Sequence, residues 1–117
     1  MSSKEEIKIK SKYDLRKDLL LVIISKDGNR GKEIKLDENF ILIFNSEGLP
    51  LFLEIYNASN IFEASKFTLS RINDIDLLIN VEKDFIELES KFTLKVHNKN
   101  EILNFNFKVK NSENIPS

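Results

Sequence analysis

The chain has 117 residues, 41% of them hydrophobic and 32% charged, which is enough apolar material for one folded body. Eighteen basic and nineteen acidic residues give a net charge of -1, which excludes a generally basic nucleic-acid coat. The chain has no cysteine and one histidine, which excludes disulfides, zinc fingers and thiol catalysis. We therefore expect no cofactor, no metal and no catalytic residue, and hence a protein that is not an enzyme.

The N-terminal stretch, MSSKEEIKIK, is charged throughout and lacks the apolar segment of a secretory signal. The longest unbroken apolar run covers residues 19–24, far short of the roughly twenty residues that a membrane span needs. These two features predict a soluble cytoplasmic protein that does not act at membranes.

Apolar residues that alternate with a period of two predict strands along most of the chain. In chain order, the predicted strands contain residues 19–24, 34–36, 40–44, 49–55, 75–81, 92–96 and 103–109. Two of them, 19–24 and 40–44, are apolar on both faces, which predicts strands that are covered on both sides. The predicted core consists of Leu21, Ile34, Leu42, Phe44, Leu53, Ile55, Ile79, Phe92, Leu94, Phe105 and Phe107.

Turn-forming residues separate these strands. The sequence Asn-Ser-Glu-Gly at 45–48 predicts a hairpin turn with its glycine in the left-handed region. The sequence His-Asn-Lys-Asn at 97–100 predicts another turn, with asparagine in the left-handed region. One short helix is predicted near 58–66, where Asn60 and Glu63 have the spacing of a capping box.

The second half of the chain repeats the apolar pattern of the first half. A shift of 52 residues aligns 34–55 with 86–107 without a gap, and the two predicted turns coincide. The match predicts two similar units of four to five strands, the first at 5–60 and the degenerate one at 66–110, related by a pseudo-two-fold axis. We expect an antiparallel β meander or sandwich in a single globular body, 1–117, with a frayed tail at 111–117. Because any two alternating strands match at an even shift, a generic β meander without duplication stays the alternative.

A second pattern spans residues 5–60 and runs Tyr-Asp-x3-Asp-x-Leu, then Gly, then a closing Ile-Glu-Ile-x2-Ala-Ser. The matching residues are Tyr13, Asp14, Asp18, Leu20, Gly48, Leu53, Glu54, Ile55, Ala58 and Ser59. This pattern resembles that of a small archaeal and bacterial family known only as a domain of unknown function. The resemblance implies a compact, mainly-β unit that ends in a short helix, and it implies no established activity. Some relatives in that family lie in operons that resemble toxin–antitoxin modules, which implies a protein-binding, antitoxin-like role.

Three carboxylates, Asp14, Asp18 and Glu54, are candidate site residues. Paired carboxylates perform acid–base chemistry or hold a hard cation, so a hydrolytic or metal-binding function is one interpretation. The structural alternative is that Asp14 and Asp18 cap the turn between the first two strands. In that alternative, Glu54 faces solvent or pairs with a lysine.

The end of the chain is basic, since residues 91–117 contain five basic and two acidic groups, a net charge of +3. The candidate binding residues on the outward face of the last hairpin are Lys91, Lys95, His97, Lys108 and Lys110. A basic β face binds RNA, DNA or an acidic protein, but this one lacks exposed aromatic residues for base stacking. The alternatives are a solvated face and, for His97, an exposed turn residue.

The missing catalytic residues and the abundance of strands favour a non-catalytic protein-interaction module. It would bind a protein partner, or associate with itself, through exposed edge strands. A nucleic-acid-binding protein is the less favoured alternative.

Overall fold

The strands of the chain form two antiparallel sheets in the computed structural model, which describes residues 9–117. The strands of the first sheet are β1 (Lys10–Asp14), β2 (Leu19–Ile23), β3 (Arg30–Lys35), β4 (Phe40–Asn45) and β5 (Pro50–Tyr56). Their order is β1-β2-β5-β4-β3, so β5 is the central strand. Residues 1–8, which include the start of the predicted first unit, lie outside the described residues.

The second sheet contains β6 (Asp74–Val81), β7 (Phe85–Val96) and β8 (Lys99–Lys110), in the order β6-β7-β8. The predicted mainly-β, antiparallel fold is confirmed, but this sheet has three strands and not the predicted four or five. In the first half, Asp37 accepts hydrogen bonds from the backbone N–H groups of Asn39 and Phe40, at 2.8 and 3.2 Å, and closes a turn between β3 and β4. The aligned residue is Glu89, which continues β7 without a turn.

The two aligned hairpins also differ in register. Phe40 of β4 pairs with Ile55 of β5, so the shift of 52 residues would pair Phe92 with Phe107. In the structure, Phe92 pairs with Leu103. The two halves therefore differ in both their strands and their pairing register, and a duplication stays a prediction.

The two predicted hairpin turns are present. Gly48 has a φ of 87°, the left-handed conformation that was predicted for it. Between β7 and β8 the turn is tighter than predicted, because only His97 and Asn98 separate Val96 from its partner Lys99. Both turn residues have positive φ, 51° and 63°, as in a type I′ turn.

Two four-residue helices, α1 (Ala58–Ile61) and α2 (Lys66–Leu69), connect the sheets where one helix was predicted. The predicted cap at Asn60 is wrong because α1 begins two residues earlier, and Glu63, with a φ of 49°, interrupts the helical run. Ser65 caps α2 by accepting a hydrogen bond from a backbone N–H at 3.1 Å. Within residues 9–117, no helix has the length and apolar character needed to cross a membrane.

The core lies between the two sheets. Its buried residues include Leu20, Val22, Ile34, Phe40, Leu42, Leu53, Ile55, Ile86, Leu88, Phe92 and Leu94. The ring centroid of Phe40 lies 5.2 Å from that of Phe105 and 4.7 Å from that of Phe107, which joins the sheets. Of the predicted core residues, only Leu21 was assigned wrongly. Its neighbours Leu20 and Val22 face the core, so its own side chain points away, and the other predicted residues are buried in the core or pack against it.

The C-terminal tail, 111–117, packs on the body where a frayed tail was predicted. The side chain of Asn111 is buried and forms hydrogen bonds of 2.9 and 2.8 Å with the backbone of Ile115, which lies in the core. Pro116 lies against the β4–β5 turn so closely that a Cβ atom on Gly48 would be 2.6 Å from its Cδ. The tail thus connects the end of β8 to the first sheet.

Candidate functional site

The five-stranded sheet has a second apolar face, on the side opposite the core. We call it the outer face; its apolar residues on β2, β4 and β5 are Leu19, Leu21, Ile23, Ile41, Ile43 and Phe52. Ile43 is buried, and the other five are half-buried. None of them belongs to the core cluster or packs against it, while the second sheet and both helices contribute to that cluster. Within the described residues, the outer face therefore lies outside the core that the two sheets share, and no strand or helix of that core packs on it.

A buried carboxylate lies in the middle of the outer face. Glu54 of β5 is only 8% exposed, and its Oε2 atom lies 3.3 Å from Nη1 of Arg30. The hydroxyl of Tyr56 donates a hydrogen bond of 3.1 Å to Oε1 of the same carboxylate. Because Arg30 belongs to β3 and β4 lies between β3 and β5, the arginine side chain crosses β4 to reach its partner.

The electrostatics of this group are those of a structural ion pair. The hydrogen bond to Glu54 raises the pKa of Arg30. Burial is the larger cause of the raised pKa of Tyr56, and its hydrogen bond to Glu54 is the next. A buried carboxylate is tolerated only when a cation and hydrogen bonds compensate its lost hydration. The outer face thus presents an apolar surface with one fixed polar feature at its centre.

A second polar network joins the β1–β2 turn to α1. The carboxylate of Asp18 accepts hydrogen bonds from the backbone N–H and the hydroxyl of Ser59, at 3.0 and 2.6 Å, and from the hydroxyl of Tyr13. Burial on its own raises the pKa of Asp18, but the hydrogen bonds from Ser59 and Tyr13 outweigh it and lower that pKa. Burial and the bond to Asp18 raise the pKa of Tyr13 to about 12. Since neither group titrates near neutral pH, this network is poorly suited to acid–base catalysis.

The same network explains part of the pattern noted in the sequence. Tyr13, Asp18, Ala58 and Ser59 all belong to that pattern, and the backbone N–H of Ala58 donates to the carbonyl of Asp18 at 3.0 Å. The pattern singled out these residues, but it did not predict that they contact one another. Their common role is to hold the start of α1 against the first hairpin.

The three candidate carboxylates have separate partners. Asp14 accepts hydrogen bonds from two backbone N–H groups of the β1–β2 turn, at 3.0 and 3.2 Å, as the structural alternative predicted. Asp18 binds Ser59 and Tyr13, and Glu54 neither faces solvent nor pairs with a lysine, since its partner is Arg30. In the range 9–117, no three acidic or histidine side chains are placed to hold a metal ion.

The lysines of the predicted basic face project from the side of the second sheet that is opposite the core. They are Lys91, Lys95, Lys108 and Lys110, and the same side carries Asp74, Asp76, Glu87 and Glu89. In register, Lys91 pairs with Asp76, and Lys108 pairs with Glu87. This side is therefore mixed in charge, whereas nucleic-acid-binding faces typically carry a continuous basic patch.

His97 and Lys95 line a cleft of about 740 Å³ between α2 and the tip of the β7–β8 hairpin. Its apolar lining includes Phe62, Leu94 and Leu103. At its edge, the guanidinium of Arg71 lies 4.7 Å from the ring centroid of the exposed Phe67. No described side chain forms a hydrogen bond with His97, so the cleft does not contain an oriented histidine base.

Sequence reasoning missed two residues of the outer face, Arg30 and Tyr56. The available signal was Glu54 itself, because an acidic residue within an apolar strand requires a compensating cation. Only three arginines occur in the chain. Two of them precede β5, and Arg30 is the one closer in sequence to Glu54.

Comparison with known proteins finds an archaeal relative of similar length. It is described as the uncharacterized protein MJ0789 of Methanocaldococcus jannaschii, and it is 31% identical over 98 residues, which are 83% of this chain and 82% of that protein. No family model matches the chain, and no solved structure matches it significantly. An archaeal relative without an assigned function agrees with the expectation of a family of unknown function, whereas the specific residue pattern stays a prediction.

Proposed function

We propose that this chain, which belongs to the family of the uncharacterized protein MJ0789 of Methanocaldococcus jannaschii, is a non-catalytic protein-binding module that uses the outer face. The observation that carries the proposal is the apolar outer face of the five-stranded sheet, which no described layer covers. Contiguous apolar patches on a protein surface mark sites of protein association.

The composition of the outer face supports a protein partner. Its apolar centre is bordered by charged residues of the two edge strands, Lys10 and Lys12 on β1 and Glu33 and Lys35 on β3. An apolar centre with a polar rim is the usual anatomy of a protein–protein interface. The apolar residues of this face are aliphatic apart from Phe52, and a mainly aliphatic surface offers little stacking to nucleic-acid bases.

The ion pair of Arg30 and Glu54 supplies the specificity of the proposed interface. A partner that covers the outer face has to place a polar group near this pair or leave the free hydrogen-bonding positions unsatisfied. Purely apolar surfaces would then be disfavoured as partners, although they match the surrounding leucines and isoleucines. Arg30 is half-exposed, at 51%, and so remains accessible to such a group.

The polar networks support a non-catalytic role as part of the same proposal. The pKa of Asp18 is lowered and that of Tyr13 is raised, whereas a general acid or base works best with a pKa near the pH of the reaction. A cytoplasmic location belongs to the proposal as well. The most specific version of the proposed protein-binding function is the antitoxin-like role that the family resemblance implies, in which the partner is a toxin.

Site-specific photo-crosslinking in the native host tests this proposal. A photoreactive amino acid replaces Phe52 on the outer face in one variant and Leu78 in the matched control. Leu78 is 63% exposed on the side of the second sheet that faces away from the core. We expect a defined adduct from position 52 and none from position 78. Equal adducts at both positions, or none at position 52, would contradict the proposal.

Substitution of the same residues gives a second measurement. Phe52→Asp should abolish co-purification of the cross-linked partner, whereas Leu78→Asp should preserve it. A circular dichroism melt of both variants separates loss of binding from loss of folding. A folded Phe52→Asp variant that still binds the partner would exclude the outer face as the interface.

A further inference from the structure

The four edge strands of the two sheets differ in how well they are protected from pairing with another chain. β1 has five residues and carries two lysines, and β3 has an irregular register between Arg30 and Glu33. β6 has eight residues and carries Asp74 and Asp76 in its first half. Short length, bulges and charges are the features with which natural proteins block edge-to-edge pairing.

β8 has few of these features. It has twelve residues without proline, and it pairs with β7 over its whole length without a register shift. Its central residues, 102–107, carry no charge, and its four charged residues, Lys99, Glu101, Lys108 and Lys110, lie toward its two ends. No described strand pairs with its other edge. β8 is therefore the edge best suited to accept a further strand.

The burial of β8 indicates what an added strand would complete. Its core-facing residues Leu103, Phe105, Phe107 and Val109 are all half-buried. The residues that pair with them on β7 are all buried: Phe92, Ser90, Leu88 and Ile86. A strand added beside β8 would cover the exposed parts of Leu103, Phe105, Phe107 and Val109, as β8 covers the residues of β7 that pair with them.

We propose that two copies of this chain pair through β8, antiparallel, around a two-fold axis at Phe105, and form a continuous six-stranded sheet. A two-fold axis perpendicular to the sheet keeps each side chain on its own side of the sheet. Leu103 then lies opposite Phe107 of the second copy, and Asn104 lies opposite Asn106. This interface is separate from the outer face of the five-stranded sheet and does not depend on the proposed function.

The side chains of β8 fit a second copy in this register. Lys108 lies opposite Ile102, and Lys110 lies opposite Asn100, so no two like charges are directly opposed. Ile102 is 53% exposed in the single chain, and the methylene stem of the opposing Lys108 would cover it. Asn104 and Asn106 supply cross-strand amide hydrogen bonds at the centre. This self-complementarity favours a second copy over an unrelated strand.

The oligomeric state in solution tests the proposal. Light scattering coupled to size-exclusion chromatography, over a concentration series, should show a dimer of the unmodified chain. The variant Asn104→Lys/Asn106→Lys places lysine opposite lysine in the proposed register and should be monomeric. Leu78→Lys/Asn80→Lys is the matched control, because it adds two lysines to the same side of the same sheet on β6, and it should remain dimeric. A monomeric unmodified chain, or a dimer that persists in the β8 variant, would overturn the proposal.

Disulfide formation tests the register without disturbing the edge, since the chain has no native cysteine. Asn104→Cys and Asn106→Cys chains are prepared separately, mixed and oxidised. Directly opposed residues of an antiparallel pair meet the geometry of a disulfide, so the mixture should form the linked heterodimer at a severalfold higher yield than either chain alone. Equal yields in all three samples would overturn the register at Phe105.

Discussion

The two sheets of the molecule differ in the face that points away from the core, which is mostly polar in one and largely apolar in the other. Every strand of the three-stranded sheet alternates between core-facing apolar residues and mostly polar residues, and its outward side carries four lysines and four carboxylates, of which two of each pair in register. The five-stranded sheet is apolar on both faces at β2 and β4. The first arrangement needs one covering layer, whereas the second needs two. One face of the five-stranded sheet therefore forms the core with the second sheet, and the proposed function uses the other face.

The largest expected effect contrasts an aromatic residue of the core with one on the outer face. Phe92 is fully buried and lies 5.0 Å, between ring centroids, from Phe62, so Phe92→Ala should lower the free energy of unfolding by about 3–5 kcal/mol. Phe52→Ala should cost about 1 kcal/mol, because the side chain is half-buried and outside the core cluster. Urea denaturation measures both. Equal losses would show that the outer face is packed as tightly as the core.

The next effect concerns the ion pair on the outer face. Arg30→Ala leaves the Glu54 carboxylate buried without its cation and should cost about 2 kcal/mol, less than for a fully buried pair because Arg30 is half-exposed. The control is Glu33→Ala, since Glu33 also pairs with Arg30 but is 60% exposed; its loss should stay below about 0.5 kcal/mol. A double-mutant cycle of Arg30→Ala and Glu54→Ala measures the coupling. A coupling near zero would show that the pair does not stabilise the fold.

The third prediction concerns the pH dependence of stability. The folded pKa of Asp18 lies below the ordinary value of 3.8, so its contribution is present above that pH and is lost as the pH falls through the folded value. The pKa of Tyr13 is raised from 10.0 to about 12, so its contribution is complete below pH 10 and is lost between pH 10 and pH 12.

The matched variant for this prediction is Tyr13→Phe, which removes the titrating hydroxyl and keeps the ring. Urea midpoints measured from pH 2 to pH 12 should show a smaller alkaline loss in Tyr13→Phe than in the unmodified chain. Because Tyr56 also has a raised pKa, only the difference between the two chains reports on Tyr13. Identical alkaline profiles would mean that the pKa of Tyr13 is not raised in the folded chain.

The smallest effect is expected on the outward side of the three-stranded sheet. Lys91→Ala removes one member of an exposed cross-strand pair with Asp76 and should change the free energy of unfolding by no more than about 0.5 kcal/mol. Thermal melts at low and high salt measure it. A loss comparable to that of Arg30→Ala would remove the distinction drawn between the two sheets.

The sequence predicted what depends on local pattern. Strands with clear alternation, such as β6 and β8, and the turn at Gly48 follow from neighbouring residues alone. Leu21 was assigned to the wrong face because β2 is apolar on both sides, and in such a strand the pattern does not define which side faces the core. The separation of β3 from β4 was predicted, whereas the continuation of β7 through Glu89, the position aligned with Asp37, was not.

The candidate site was harder to predict than the fold, because its contacts join distant parts of the chain. Asp18 and Ser59 are 41 positions apart, and Arg30 and Glu54 are 24 positions apart. A sequence identifies Glu54 as unusual, but only the order of the strands places Arg30 within reach. Charge counting along the chain likewise did not show that β6 and β7 place carboxylates beside the lysines of the predicted basic face.

The strand order also has a kinetic consequence. β7 and β8 are joined by two residues, so their pairing closes a very short loop and costs little chain entropy. The central strand β5 pairs with β2 through Leu19 and Tyr56, which lie 37 positions apart, and β3 and β4 occupy the intervening chain. Since non-local pairing is slow, we expect the β7–β8 hairpin to form early and β2 to join β5 late in folding. Substitutions in the hairpin turn should then alter the refolding rate, and substitutions between β2 and β5 mainly the unfolding rate.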